Sequence, residues 1–189
     1  VLSCLVDADH TDTARHYGKF PQEQDVYIPK LRAKERLERL DSYVNGLRDK
    51  SERSKLRTEM YRACKDCSIE ANIVACNSPV GSAKTTALMA YALQQAISRK
   101  SRRIFVVLQF TNIISQSVEV YRDMLRLPGE NPEDVVAELH HRADFENEEA
   151  RALTAVWKAP IIVTTAVAFF ETMASCMPAT LRRLHELPG

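Results

Sequence analysis

The chain has 189 residues, with 26 lysines and arginines against 25 aspartates and glutamates, and a formal net charge of +1. This balance excludes a histone-like polycation that binds nucleic acid through bulk charge alone, but it leaves room for a local basic groove. Hydrophobic residues at 45% and charged residues at 27% indicate a globular protein and exclude a disordered or fibrous one. No run of 18 apolar residues occurs in the sequence, so we expect no membrane-spanning segment.

The five cysteines are odd in number, unlike the dense, even-numbered framework of a small secreted domain. We expect reduced cysteines that act as small core residues in a cytoplasmic protein. Cys64 and Cys67 form a CxxC pair, but no second pair follows at zinc-ribbon spacing. Both also continue an apolar stripe with Leu56 and Met60 at helical intervals, so the pair does not predict a metal site.

The chain begins with a short apolar stretch, followed by a polar, proline-punctuated segment up to residue 30 that suits a linker between domains. Two helices follow, an amphipathic one at 31–50 and a second at about 52–67. Short continuous apolar runs then alternate with helical patterns. Buried strands are predicted at 73–76, 103–110 and 160–164, with a weaker apolar run at about 135–136. Helices are predicted up to about 97 and at 112–126, 144–157, 166–176 and 179–187. This alternation predicts an α/β fold with a mostly parallel sheet.

A candidate phosphate-binding loop lies between the first predicted strand and the next helix. It consists of Ser78, Pro79, Val80, Gly81, Ser82, Ala83, Lys84 and Thr85. Backbone N–H groups in such a loop wrap a triphosphate, and the helix N-terminus adds partial positive charge. Lys84 would reach the β- and γ-phosphates of ATP, and the Thr85 hydroxyl would ligate Mg²⁺.

The loop departs from the general pattern at Ser78 and Ala83, where glycine is usual. If position 83 needs a positive φ, the Cβ of alanine costs roughly 1–2 kcal/mol there. The alternative interpretation is an ordinary strand-to-helix turn capped by Ser82.

Four segments, in this order, carry a resemblance to a known family: CLVDADHTDTARHYG (4–18), SPVGSAKTTALMAYAL (78–93), RRIFVVLQFTNIISQSVEVYR (102–122) and APIIVTTAVAFFETM (159–173). The last three resemble motifs I, Ia and Ic of superfamily 2 helicases, and the first resembles the last helix of an HD nuclease domain. Together they resemble the CRISPR-associated helicase–nuclease of type I systems. The helix pair at 35–48 and 56–64 is similar to the family's entry into its first RecA-like domain.

The resemblance implies a division into the end of an HD nuclease domain at 1–18, a linker and entry helix at 19–50, and an incomplete first RecA-like domain at 51–189. It also implies that single-stranded DNA binds where motifs Ia and Ic end, at the carboxyl ends of strands. The residues expected there are Gln109, Phe110, Thr111, Asn112, Gln116, Thr164 and Thr165. Gln109 stands where the family has proline, and Asn112 where it has serine.

For the HD site, the resemblance implies a divalent transition metal with Asp9 as the ligand in this chain and Asp7 as the alternative. The His140-His141 pair resembles a histidine-rich spot between motifs Ia and Ic, and no metal is assigned to it. The family's other HD ligands are absent from this stretch, as is its Asp-Glu-x-His/Asp motif. We therefore expect a piece of a longer protein that neither cuts DNA nor hydrolyses ATP efficiently by itself.

The whole protein is then expected to be an ATP-dependent translocase on single-stranded DNA that is also a nuclease. It would act against foreign DNA with the RNA-guided type I surveillance complex as its partner. The alternative is a non-catalytic nucleotide-, DNA- or protein-binding module with a degenerate loop, which Val80 and Ala83 suggest. A small-molecule kinase is a third possibility, but Gln109 stands where such an enzyme would carry an aspartate or arginine.

Overall fold

The structure is a computed structural model that describes residues 2–17, 29–69, 71–139, 158–174 and 177–187. The predicted helix at 144–157, the His140-His141 pair and most of the predicted linker lie outside these residues. The described residues form two compact units. The sheet unit contains those up to Leu31, those at 102–123 and those from Pro128 onward, and the helical unit contains those at 32–101 and 124–127.

The described residues of the helical unit contain three complete helices, which are the second, third and fourth helices along the chain. They are α2 (Ala33–Gly46), α3 (Glu52–Lys65) and α4 (Lys84–Arg99). The apolar stripe of α4 packs against both α2 and α3, and its Ala87, Ala90 and Leu93 are fully buried. Ser51 caps α3 by accepting a hydrogen bond from the Ser54 N–H at 3.1 Å.

The sheet unit combines a small parallel sheet with helices before, between and after its strands. Its elements are α1 (Leu2–His16), β1 (Ile104–Leu108), α5 (Thr111–Leu125), α6 (Pro132–Val135), β2 (Val136–Leu139), β3 (Ile161–Thr165), α7 (Ala166–Ala174), α8 (Pro178–Leu181) and a 3₁₀ turn (Leu184–Glu186). The strand order is β1-β3-β2, and both pairings are parallel. The fold is therefore mixed α/β with a three-stranded parallel sheet, as the alternating pattern predicts.

The central strand β3 is buried along all five residues, since it has a neighbour on each side. Ile162 joins Ala137, Leu139 and Ala159 in a hydrophobic cluster, against which Phe105 also packs. This burial explains why the segment reads as a continuous apolar run rather than as an alternating one.

The strands predicted at 103–110 and 160–164 are confirmed as β1 and β3, and the weaker apolar run at 135–136 reaches the start of β2. The strand predicted at 73–76 is wrong. Residues 73–76 have no regular secondary structure, and Ile73 is 90% exposed. An apolar run shows only a preference for burial, whereas a strand also needs a neighbour to complete its hydrogen bonds. In the part of the chain that the structure describes, none of the three strands pairs with this segment.

None of the described helices is both long enough and apolar enough to cross a membrane.

Candidate functional site

The candidate phosphate loop lies in the helical unit and makes two left-handed turns just before α4. Gly81 has φ +84°, and Ala83 has φ 60° and ψ 43°. A glycine adopts such a conformation freely, but an alanine does so at a cost. Position 83 therefore has the positive φ at which a Cβ is unfavourable.

Ser82 holds the loop together from inside. Its side chain is fully buried, and its Oγ donates to the Pro79 carbonyl at 2.9 Å. Because that bond uses the Ser82 hydroxyl hydrogen, the 2.5 Å contact with Ser78 Oγ is one in which Ser78 donates. Ser82 does not cap α4: the N-cap residue is Ala83, which has no side-chain capping bond. The alternative of a turn capped by Ser82 is therefore wrong in this detail.

The first turn of α4 presents backbone donors that the helix cannot use. The Ala87 N–H makes the helix's first bond, to the Ala83 carbonyl at 3.2 Å. The N–H groups of Lys84, Thr85 and Thr86 precede it and have no carbonyl one turn back. Together with the partial positive charge of a 16-residue helix, they favour an anion at this end.

Two side chains with the chemistry of a phosphate site stand at this helix end. Lys84 is half-buried and has no ion-pair partner among the residues that the structure describes, while the Thr85 side chain is exposed. An ammonium can neutralise phosphate charge, and an exposed hydroxyl fits Mg²⁺, which takes oxygen ligands and retains several waters. These groups have the chemistry that a triphosphate and its magnesium ion require, but the strand predicted directly before the loop, at 73–76, is not formed.

Arg57 on α3 is a residue of this site that the sequence analysis missed. Its Nε donates to the Gly81 carbonyl at 3.1 Å and so ties the loop to α3. Its charge is also one of the smaller causes that lower the pKa of Asp49, after the hydrogen bonds from Ser51. Nothing in the sequence signals this role, because Arg57 lies 24 residues before Gly81 on a helix with many other charges.

The predicted DNA-binding residues lie in the sheet unit, where two parallel strands end side by side. Leu108 at the end of β1 pairs with Thr165 at the end of β3. Gln109 and Phe110 follow β1 directly and are both exposed, Phe110 by 58%. Asn112 and Gln116 are exposed one turn apart on α5. These four exposed side chains thus lie on the segment after β1 and on the first turns of α5; the Thr111 side chain is outside the described set.

The two threonines of β3 differ from these four, because both hydroxyls are used inside the protein. Thr164 is fully buried, and its Oγ1 donates to the Leu139 carbonyl at 2.9 Å. Thr165 is 6% exposed, and its Oγ1 accepts from the Ala168 N–H at 3.0 Å, which caps the start of α7. Their hydrogen bonds fix the sheet and the following helix.

The two candidate HD-site aspartates lie on α1 in different environments. Asp9 is exposed. Asp7 is buried, and its Oδ1 accepts from Arg182 Nε at 3.0 Å, so the charge of Asp7 is already compensated. No group of three histidine, cysteine, aspartate or glutamate side chains suited to a metal occurs in the described ranges. The residues present do not fit a nuclease metal centre, and we derive no step through one.

Comparison of the chain with protein-family models gives no match, and comparison with curated proteins gives none either.

Proposed function

We propose that this chain is the nucleotide-binding front part of a RecA-like motor domain. The observation that carries the proposal is the loop with two left-handed residues, Gly81 and Ala83, directly before a long helix that begins with Lys84 and Thr85. Such a loop turns successive N–H groups toward one point, where a phosphate chain can accept from them. The parallel sheet of the other unit supports the same class of fold.

In this proposal, different groups of the loop bind different parts of MgATP. The N–H groups around Gly81 and at the start of α4 bind the phosphate oxygens, and Lys84 neutralises charge on the β- and γ-phosphates. The Thr85 hydroxyl contributes a magnesium ligand. Arg57 and Ser82 position the loop without touching the nucleotide, through their bonds to the Gly81 and Pro79 carbonyls. When bound, MgATP would supply the phosphoanhydride bond whose hydrolysis drives movement.

Single-stranded DNA is the proposed ligand of the exposed residues after β1. Phe110 offers an aromatic face to a base, and every base can stack on such a face whatever the sequence. Gln109, Asn112 and Gln116 offer amide N–H groups to phosphate oxygens, which position a strand without reading it. Thr164 and Thr165 are left out of this surface, since their hydroxyls are engaged within the protein.

The wider setting of the proposal rests on the order of the sequence motifs. That order resembles the type I CRISPR helicase–nuclease, so we place the chain in a protein that moves along and degrades foreign single-stranded DNA beside an RNA-guided complex. Its nuclease centre is assigned to the HD domain of that protein, of which this chain would contain the final helix, α1.

The direct test is a titration of the chain with a fluorescent ATP analogue and Mg²⁺. We expect saturable binding that Lys84→Ala weakens by about tenfold or more, since a charge-assisted contact worth about 1.5–3 kcal/mol is lost. Lys34→Ala is the matched control, because Lys34 is an exposed lysine in the first turn of α2 in the same unit, with no such loop before it. Equal weakening by both variants would contradict the proposal.

The same titration also tests the alternative, a non-catalytic module with a degenerate loop. Because Ala83 occupies a conformation that favours glycine, Ala83→Gly should retain or improve binding if the loop is functional. If neither the natural chain nor Ala83→Gly binds the analogue, the loop is not a nucleotide site and the non-catalytic module is the better reading.

A further inference from the structure

We propose that a small basic cavity beside the first half of α3, in the helical unit, binds a backbone phosphate of duplex DNA. The cavity shares no residue with the proposed nucleotide loop or with the proposed surface for single-stranded DNA. The proposal concerns a further interaction surface and does not depend on whether either of those sites is functional.

The segment at 48–65, which comprises the end of the α2–α3 connection and α3 itself, concentrates positive charge. It contains seven lysines and arginines against three aspartates and glutamates, a surplus of four, whereas the whole chain has a net charge of +1. The rest of the chain is therefore acidic on balance. A local surplus of this kind attracts a polyanion even when the chain as a whole is nearly neutral.

Part of this positive charge surrounds a cavity of about 230 Å³. Arg48 lines the cavity from the connection before α3, and Lys55 and Arg62 line it from α3. Lys55 and Arg62 are seven residues apart, which is two helical turns, so they lie on the same face of α3. All three cations are exposed, and a ligand can therefore approach them from solvent.

The two arginines of this basic cavity have donors to offer. Arg48 and Arg62 have no ion-pair partner among the residues that the structure describes. Lys55 is paired with Glu52 at 2.6 Å, but that pair is exposed and contributes little to stability. A guanidinium carries five N–H donors in a planar fork that matches the oxygens of a phosphate, so Arg48 and Arg62 are the expected phosphate ligands.

The other lining residues leave the basic cavity with a positive balance. Asp49 and Glu59 stand against the three cations. The Asp49 Oδ1 already accepts from the Ser51 N–H at 2.7 Å. The Ser54 Oγ accepts from the Asp49 N–H at 3.0 Å, and the Thr58 Oγ1 donates to the Ser54 carbonyl at 2.9 Å. These groups therefore hold the wall of the cavity, and the guanidinium groups remain for the ligand.

The size of the cavity and its surroundings favour the backbone of duplex DNA over other anions. A volume of about 230 Å³ lies below the roughly 300–1,000 Å³ of pockets that enclose a small molecule, so we expect one phosphate inside and the rest of the ligand outside. The one aromatic residue of α3, Tyr61, is buried and donates to Asp41 at 2.9 Å. This helix therefore offers no aromatic face for the bases of a single strand. Duplex DNA keeps its bases stacked inside and presents a dense row of phosphates.

Binding of a short labelled DNA duplex to the whole chain, measured by fluorescence anisotropy over a range of salt concentrations, tests the proposal. We expect the double variant Arg48→Gln/Arg62→Gln to reduce the slope of log affinity against log salt by about 2, because each phosphate contact contributes roughly 0.9. The matched control, Lys34→Gln/Lys100→Gln, removes two exposed positive charges elsewhere in the helical unit and should leave the slope nearly unchanged. Phe110→Ala, in the sheet unit, should also leave the duplex slope unchanged.

Four results would overturn the proposal. The first is failure of the natural chain to bind the duplex, and the second is an equal loss of slope in the two double variants, which would show an effect of bulk charge alone. The third is displacement of the duplex by polyglutamate as readily as by unlabelled duplex, which would assign the surface to an acidic protein. The fourth is a larger loss of affinity for oligothymidine or duplex RNA than for duplex DNA in Arg48→Gln/Arg62→Gln. Because all four replaced side chains are exposed, both double variants should unfold at the same urea concentration as the natural chain.

Discussion

Ala83 holds a left-handed backbone conformation, with φ 60° and ψ 43°, at the residue where the loop meets α4. A Cβ in this region is disfavoured by roughly 1–2 kcal/mol relative to glycine. Alanine is also a poor N-cap residue, because it offers no side-chain acceptor to the helix. The loop therefore keeps a strained residue beside the proposed phosphate site.

Replacing this alanine with glycine should stabilise the protein. We expect Ala83→Gly to raise the free energy of unfolding by up to about 1 kcal/mol, since the relief of strain exceeds the extra chain entropy of glycine in the unfolded state. Urea unfolding followed by circular dichroism measures this change. The matched control is Ala92→Gly in the middle of α4, which should lower the same quantity by about 1 kcal/mol. Destabilisation of similar size at both positions would contradict the left-handed assignment.

At the residue scale, the sequence identified the residues of the proposed loop but not the contacts that hold them. Gly81, Lys84 and Thr85 match a pattern that is typical of phosphate-binding loops, so the proposed site can be recognised without a structure. The bond from Arg57 to Gly81 joins residues far apart in the chain, and the packing of α3 beside the loop decides it. Likewise, the burial of the Thr164 hydroxyl depends on β2 lying next to β3, which no local pattern reports.

The helix α1 packs within the sheet unit through its polar face. Ser3, Asp7 and Thr11 lie one turn apart and are buried, while Leu2 is 64% exposed. The Ser3 Oγ donates to the Leu181 carbonyl at 2.5 Å, and Arg182 donates to Asp7. Hydrophobic periodicity would have assigned the buried face of α1 wrongly, because its partners here are a carbonyl group and a guanidinium.

The ion pair between Asp7 and Arg182 should contribute much of the free energy that holds α1 within the sheet unit. Asp7→Asn leaves Arg182, whose side chain is only 18% exposed, without a counter-charge. We expect a loss of roughly 2–3 kcal/mol in the free energy of unfolding, somewhat below that for a fully buried pair. Asp9→Asn on the exposed side of α1 should change it by less than about 0.5 kcal/mol. Thermal or urea unfolding of the two variants measures this difference. Equal losses of stability in Asp7→Asn and Asp9→Asn would contradict a stabilising role of the ion pair.

Phe110, the exposed phenylalanine after β1, allows the proposed DNA-binding surface to be tested separately. We expect Phe110→Ala to weaken binding of a labelled oligothymidine by about tenfold, because base–aromatic stacking contributes roughly 1–3 kcal/mol. Phe170→Ala is the control, since Phe170 is similarly exposed, by 61%, on α7 in the same unit. Fluorescence anisotropy at a fixed, low salt concentration measures the oligothymidine affinity of both variants. Unchanged affinity in Phe110→Ala, or no binding by the natural chain, would contradict the DNA surface.

At the element scale, strands were predictable where their neighbours lie within the described chain. The apolar runs that became β1 and β3 pair with each other in parallel register from Ile104 and Ile161 onward. The run at 73–76 has similar composition but no strand beside it among the described residues. Composition therefore identified which segments prefer burial, and pairing decided which of them formed strands.

At the scale of the whole molecule, the chain divides in a way that the motif order did not show. The range expected to form one RecA-like domain, 51–189, contributes residues to both compact units, and α2 joins α3 and α4 in the helical unit. The proposed nucleotide loop belongs to that helical unit, whereas the proposed surface for single-stranded DNA belongs to the sheet unit. The two ligands can therefore be tested separately, each on its own unit of the intact chain.

The most direct test of the central claim is a two-dimensional ¹⁵N–¹H NMR titration of the intact chain with MgATP. If the loop binds the phosphates, the amide signals that move most should be those of Gly81, Ser82, Lys84 and Thr85, and inorganic tripolyphosphate should move the same signals. Adenosine, which has no phosphate, should leave them in place. Unchanged loop signals at saturating MgATP, or shifts confined to other residues, would contradict the account.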